Sequence, residues 1–240
     1  MPVTVFHAMA RLKVFGLFLC EPADKFLSVG ITSGLEKIID EKIARQRGYR
    51  IIKRYTGGGA VLLGPGQIFY ELVLPRSEVC FKVERATREL SLPVAEFYRS
   101  LGLDARVEGL DITVGGRKIS GQGAGDIDGA FVFVGNVLMR FDPSEFAEVI
   151  KTRRKQELSE ELYRNITWLE REGIFLKPEE VFKMLIEEFK KVLPLGEVSE
   201  LPEEVFKLTR QVEIELEEDW EEDRPIGEIK LREGVMFKLN

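Results

Sequence analysis

The stretch "YRIIKRYTGGGAVLLGPGQIFYELVL", Tyr49–Leu74, reads as three strands with no helix between them. "YRIIKR" is rich in β-favouring residues and runs straight into three glycines. "AVLL" and "IFYELVL" then flank "GPGQ" as strand, turn and strand. Strands that follow one another this closely argue against a steady βαβ alternation. They favour an α+β fold with a central mixed, largely antiparallel sheet flanked by helices.

The neighbouring segments extend that layout in both directions. Val3–Leu12 has apolar residues at helical spacing, "VFGLFLC" (Val14–Cys20) reads as a buried strand, and Phe26–Ile31 as another. "SGLEKIIDEKIARQRG" predicts one helix, with Ser33 as N-cap, Leu35, Ile38, Ile39 and Ile43 on one face and Gly48 past its end. Glu78–Gly102 is helical with Pro93 at a break. "DITVGG" and "KIS" predict a hairpin closed by Gly115-Gly116. Ala130–Met139 reads as a strand interrupted by Gly135. Helical segments follow at Ser144–Lys151, Ser159–Arg171, Pro178–Val192 and Pro202–Glu218, then a closing strand around Ile229–Phe237. The expected organisation is a single domain over 1–240, with a sheet-rich core at 1–150, a mainly helical continuation at 151–240 and no C-terminal accessory domain.

Composition narrows the function. The chain is 44% hydrophobic and 32% charged, which suits a folded core. A net charge of -6 argues against a nucleic-acid partner, and "KTRRK" at Lys151–Lys155 reads as a solvated helix end. Cys20 and Cys80 lack metal-ligand spacing and read as buried small apolar residues, and His7 is the only histidine, so a zinc site or a Ser-His-Asp triad is implausible. No secretory signal or run of ~20 apolar residues is present, and a cytoplasmic protein with no membrane partner is expected. Many Glu, Lys and Arg resemble the composition of thermophile proteins.

The glycines carry the functional signal. Neither cluster supplies the lysine of a GxxxxGK[ST] loop, and "GQGAGD" (Gly121–Asp126) misses GxGxxG by one position. What remains is a strand ending in Arg54, then bare backbone at Gly57, Gly58 and Gly59, whose N–H groups could hold a carboxylate or phosphate. A hairpin tip without a ligand would need the same glycines. A second unit, "GGRKISGQGAG" (Gly115–Gly125), sets Lys118 in a strand among glycines about sixty residues on. If both units line one pocket, Arg54 and Lys118 bracket an anionic, reactive group.

"RYTGGGAV" and "GRKISG" together resemble the signature segments of the lipoate–protein ligase and octanoyltransferase family, related to biotin–protein ligases. "ADKFLSVGI", "LGLDARVEGLDITV" and "GNVL" fall in the family's order, so the resemblance covers Val3 to about Lys151 well and the remainder loosely. It implies a sheet like that of class II aminoacyl-tRNA synthetases and biotin ligases. The implied activity joins lipoate or octanoate to ATP as an acyl-adenylate and passes the acyl group to a lysine of a lipoyl-domain carrier protein. Carried over by position, Arg54, Gly57, Gly58, Gly59, Ala60, Val61 and Leu62 would hold phosphate and acyl chain. Gly121, Gly135 and Asn136 would complete the substrate site, and Lys118 would be catalytic. Mg²⁺ is expected with ATP, and Asp111 is the candidate ligand.

The chain also departs from the family. Val134 precedes Gly135-Asn136 where histidine is frequent, Leu110 stands where ligases carry asparagine, and "GPGQ" is closer to the transferase branch. No cysteine follows Cys80, which disfavours the thioester route of the octanoyltransferases. The short C-terminal part raises the expectation of a separate accessory subunit. Octanoyltransferase, biotin–protein ligase-type and non-catalytic acyl-nucleotide-binding readings are the alternatives.

Overall fold

Tyr49–Leu74 does form three strands, but they divide between two sheets. The computed structural model describes residues 2–30, 38–56, 59–218 and 227–239. Among these, β3 (Arg50–Arg54) and β4 (Ala60–Leu63) flank β2 (Phe26–Gly30) in a small sheet, β2 parallel to β3 and antiparallel to β4. β5 (Gln67–Pro75) belongs to a six-stranded antiparallel sheet. Its order is β1 (Gly16–Cys20), β5, β9 (Ala130–Leu138), β8 (Arg117–Ile127), β7 (Asp111–Val114) and β6 (Ala105–Glu108). The expected α+β fold with its mixed, largely antiparallel sheet content is what the chain adopts.

Both faces of the large sheet are covered. Along β5, Ile68, Tyr70 and Leu72 pack with helices α3 (Val83–Ser100) and α6 (Pro178–Lys190). Val73 instead joins Val132, Val134 and helix α1 (Pro2–Leu12), with Val205 of α7 (Glu203–Glu218). Helices α4 (Pro143–Val149) and α5 (Lys155–Asn165) pack with β2 and with a hairpin of β10 (Glu228–Arg232) and β11 (Val235–Lys238). The expected single closing strand is thus two strands. The turn holds Gly234 at φ +71°, a left-handed conformation that glycine adopts without steric cost.

Several expectations fail for identifiable reasons. The helix predicted from Ser33 does not run continuously: Ile39 bridges Ile150 as extended chain. α2 (Glu41–Gln46) then starts anew, with Asp40 accepting from the Ile43 N–H at 3.1 Å. Ser33 and Leu35 lie outside the described residues. Pro93 breaks nothing, because it is buried inside the unbroken α3, where packing of the helix's apolar face on the sheet outweighs one missing hydrogen bond. The helix expected at Ser159–Arg171 is α5, ending at Asn165, since Ile166 pairs in parallel with Lys118 and the Thr167 N–H donates to the Lys118 carbonyl at 2.8 Å. The Gly115-Gly116 hairpin is as expected, with φ of +56° and +73° at the two glycines.

Gly135 does not interrupt β9, which is continuous. Its missing side chain makes room for Tyr70 on the paired strand, whose hydroxyl sits 2.1 Å from where a Cβ would be. The Tyr70 hydroxyl accepts from Gln122 at 3.0 Å and lies 3.2 Å from Ser120 Oγ. Ser120 in turn donates to the Asn136 carbonyl at 2.5 Å. A buried polar network therefore ties β5, β8 and β9 together beneath the site.

Candidate active site

The two sheets face one another across a cleft of about 180 Å³, and both glycine–cation units line it. Arg54, Gly59, Ala60, Val61 and Leu62 come from the small sheet, and Lys118, Gly121, Gly135 and Asn136 from the large one. Gly57 and Gly58 lie outside the described residues.

Lys118 owes its position to a bulge. Ile112 pairs with Ser120 but Thr113 pairs with Lys118, so Ile119 is an extra residue in β8. In an unbroken strand residues 118 and 121 face opposite sides. Here the Lys118 ammonium lies 2.7 Å from where a Cβ of Gly121 would stand. It is 2.8 Å from Asp111 Oδ1, and the other Asp111 oxygen accepts from the Glu233 N–H at 2.6 Å. Asp111 is almost fully buried, at 3% side-chain exposure against 24% for Lys118. The pair therefore keeps a cation fixed and only partly dry at the cleft wall.

Arg54 is engaged within the protein. One guanidinium nitrogen donates to the Ser28 carbonyl at 2.8 Å and to Ser28 Oγ at 3.2 Å, and the other to the Gly59 carbonyl at 2.9 Å. Those bonds clamp the end of the glycine loop onto β2. Burial pulls the Arg54 pKa down to about 10, which leaves it charged at neutral pH. His7 acts on the same loop, its Nε2 accepting from the Tyr55 N–H at 3.2 Å.

"GQGAG" turns out to be a bare stripe and no phosphate loop. Residues 121, 123 and 125 alternate onto one face of β8. The Tyr55 carbonyl lies 3.6 Å from where a Cβ of Gly125 would be, so the loop backbone can lean on the strand. Asn136 is held from both sides, accepting from the Gly121 N–H at 3.2 Å and donating to Gln67 Oε1 at 3.3 Å.

Along β9, Asn136 stands between two apolar limbs of the cleft. On one side Val134 lies with Phe6 and Phe69; on the other Leu138 lies with Phe141, Phe146 and Leu162. Sequence reasoning missed Lys230 and Leu231, which the C-terminal hairpin adds to the wall, and Glu71, at the bottom of the first limb. No local pattern announces them. Cys20 and Cys80 are half-buried, not fully buried as expected, and neither lines the cleft. Burial and nearby Glu71 push the Cys20 thiol well above its ordinary range, against thiolate formation.

The candidate Mg²⁺ ligand Asp111 is engaged by Lys118 and by a backbone N–H. Among the described residues no group of three or more His, Cys, Asp or Glu side chains could hold a metal. The described residues do not make an all-protein Mg²⁺ site.

This two-sheet α+β fold sets a lysine ammonium, held by a buried aspartate, between two apolar limbs, an arrangement that suits an anionic group with an apolar tail. Residues 7–190 match the family model for the lipoyl protein ligase A/B catalytic domain, and the chain belongs to that family. It is 28% identical over 139 residues to lipoate-protein ligase A subunit 1 of Thermoplasma acidophilum, covering 53% of this chain and 52% of that protein. It is 32% identical over 96 residues to an octanoyl-[GcvH]:protein N-octanoyltransferase of Geobacillus kaustophilus, covering 35% and 33%. Its fold superposes at TM-score 0.78 and 22% identity on a bipartite lipoate protein ligase from Thermoplasma acidophilum, over 88% of this chain and 85% of the other. The chain spans about half the length of the curated lipoate-protein ligase relatives it matches.

Proposed function

We propose that the chain activates a lipoate-like carboxylic acid with ATP and passes the acyl group to a lysine of a lipoyl-type carrier domain. The observation that carries this reading is the Lys118 ammonium fixed by Asp111 between two apolar limbs. Activation joins a carboxylate oxygen to the α-phosphorus of ATP and expels pyrophosphate. In the second step the carrier lysine, as free amine, attacks the acyl carbon and AMP leaves. The first step brings two anions together, and a cation held in place before they arrive offsets their repulsion. Lys118 is that cation. Arg54 ties Gly59, at the end of the glycine loop, to β2 beside the reacting groups. Asn136 fixes the Gly121 amide beside them. Mg²⁺ would arrive on the nucleotide's phosphates.

The carrier lysine would approach from the side of Lys118 and Lys230, whose charges would steer an acidic carrier surface despite the net negative chain. A separate accessory subunit is part of the proposal. The Thermoplasma acidophilum structure is described as bipartite, and its relative as a subunit 1. A cytoplasmic location is also proposed; no described helix is long and apolar enough to cross a membrane.

The test is acylation of a lipoyl domain by the purified chain, with free acid and with or without ATP–Mg²⁺, read by mass spectrometry. ATP-dependent modification is expected. Lys118→Ala should slow it by ~10²–10³ with an unchanged melting temperature. A fully active Lys118→Ala protein would contradict the assignment.

The resemblance to an octanoyltransferase favours a second reading, in which the acyl group comes from a carrier thioester without ATP. It needs a nucleophile that the cleft wall does not offer, since neither cysteine lines it. Transfer from an octanoyl thioester, abolished in Cys20→Ser, would establish it. Binding of acid and nucleotide without transfer in any assay would indicate a binding protein, and use of biotin the biotin-ligase reading.

A further inference from the structure

Glu71 is a carboxyl with no evident business where it stands. The pattern of β5 puts it on the same face as Phe69 and Val73, toward the cleft, between Phe18 of β1 and Val134 of β9. It is 0% exposed, and neither oxygen has a hydrogen-bond partner among the described residues. Yet it lines the cleft beside Phe6, Phe69 and Val134. A buried unpaired carboxyl destabilises a fold, and a hydrocarbon side chain of similar size would not. Burial pushes its pKa well above the ordinary carboxyl value. In its neutral form it presents one O–H donor and one carbonyl acceptor to the limb.

Its distance from Lys118 matters. Glu71 pairs with Val134, which pairs with Gly123, two residues along β8 from Gly121. That is roughly 10 Å across the strands and about 7 Å along them. An extended medium-chain acid with its carboxylate at Lys118 can place its tail end there. Glu71, wholly buried, closes this limb, whereas a nucleotide needs an exit for pyrophosphate.

We infer that Glu71 is a specificity-determining residue at the closed end of the acyl limb. It selects acids whose tail end can hydrogen-bond, through a hydroxyl or a dithiolane sulfur, over acids ending in plain hydrocarbon. This rests on the reading of the cleft given above. A methyl-ended tail would leave the buried carboxyl without a hydrogen-bond partner. A hydroxyl-ended tail accepts its proton and donates to its carbonyl, and a sulfur accepts weakly.

The experiment measures binding of octanoic, lipoic and 8-hydroxyoctanoic acids by calorimetry, and acyl-adenylate formation from each with ATP. Wild-type chain, Glu71→Gln and Glu71→Leu are compared. The hydroxy acid should bind roughly ten-fold more tightly than octanoate, with lipoate between them. Glu71→Gln should keep the order, and Glu71→Leu should abolish or reverse it. Equal affinities for the three acids in the wild-type chain overturn the inference even if no variant folds. So does an unchanged order in Glu71→Leu, or a change confined to ATP. If the acids bind and are adenylated with equal preference, only this inference fails. If none binds or reacts, the reading of the cleft fails with it.

Discussion

At the scale of single residues, two glycines that look alike in sequence hold different things apart. A methyl at Gly121 would meet the Lys118 ammonium at 2.7 Å, the far end of a flexible side chain. Gly121→Ala should therefore fold normally and displace Lys118 from Asp111, lowering kcat with little change in melting temperature. A methyl at Gly135 would meet the Tyr70 ring and hydroxyl at 2.1–2.7 Å, deep in packed core. Gly135→Ala should cost at least about 1–3 kcal/mol of stability by overpacking, measured by denaturant unfolding. Only part of this was legible beforehand. "GRKISG" marks Lys118 as a cation among glycines, but nothing in it shows a bulge, because the extra residue is defined only against β7. Gly135 reads as a flaw until the tyrosine across the ladder is known. Glu71 was invisible for a related reason. In "IFYELVL" an alternating acid suggests a solvated face, and only the second sheet makes that face interior.

At the scale of elements, the errors fall where tertiary contacts override local preference. Periodicity identified α3, α4, α6 and α7, and the turn residues identified the β7–β8 hairpin. The segment around Asp40 carried a helical pattern throughout, yet Ile39 is drawn into a bridge with Ile150 and the helix restarts at a new cap. If that cap starts the helix, Asp40→Ala should cost ~1 kcal/mol in denaturant unfolding, a typical N-cap loss. The end of α5 shows the same effect in reverse. Ile166 leaves the helix to pair in parallel with Lys118, which gives β8 a further backbone partner beside the site.

At the scale of the whole molecule, pH acts through Glu71. Its folded pKa is raised, so the native state holds its proton more tightly than the unfolded chain does. Stability from this group is complete below the ordinary carboxyl value and is lost as pH rises through the folded one. Denaturant unfolding should find the wild-type chain losing stability across that range and Glu71→Gln losing less. Parallel pH profiles in the two proteins would refute the shift. The cleft also draws on nearly the whole length of the described chain, from Phe6 and the β3–β4 loop to Lys230 and the Glu233 N–H that secures Asp111. During synthesis, then, a ribosome carries most of this chain before the cleft wall is complete. Until residue 233 has emerged, Asp111 lacks that backbone anchor, so the order in which the parts are made leaves the Lys118–Asp111 pair to be secured near the end.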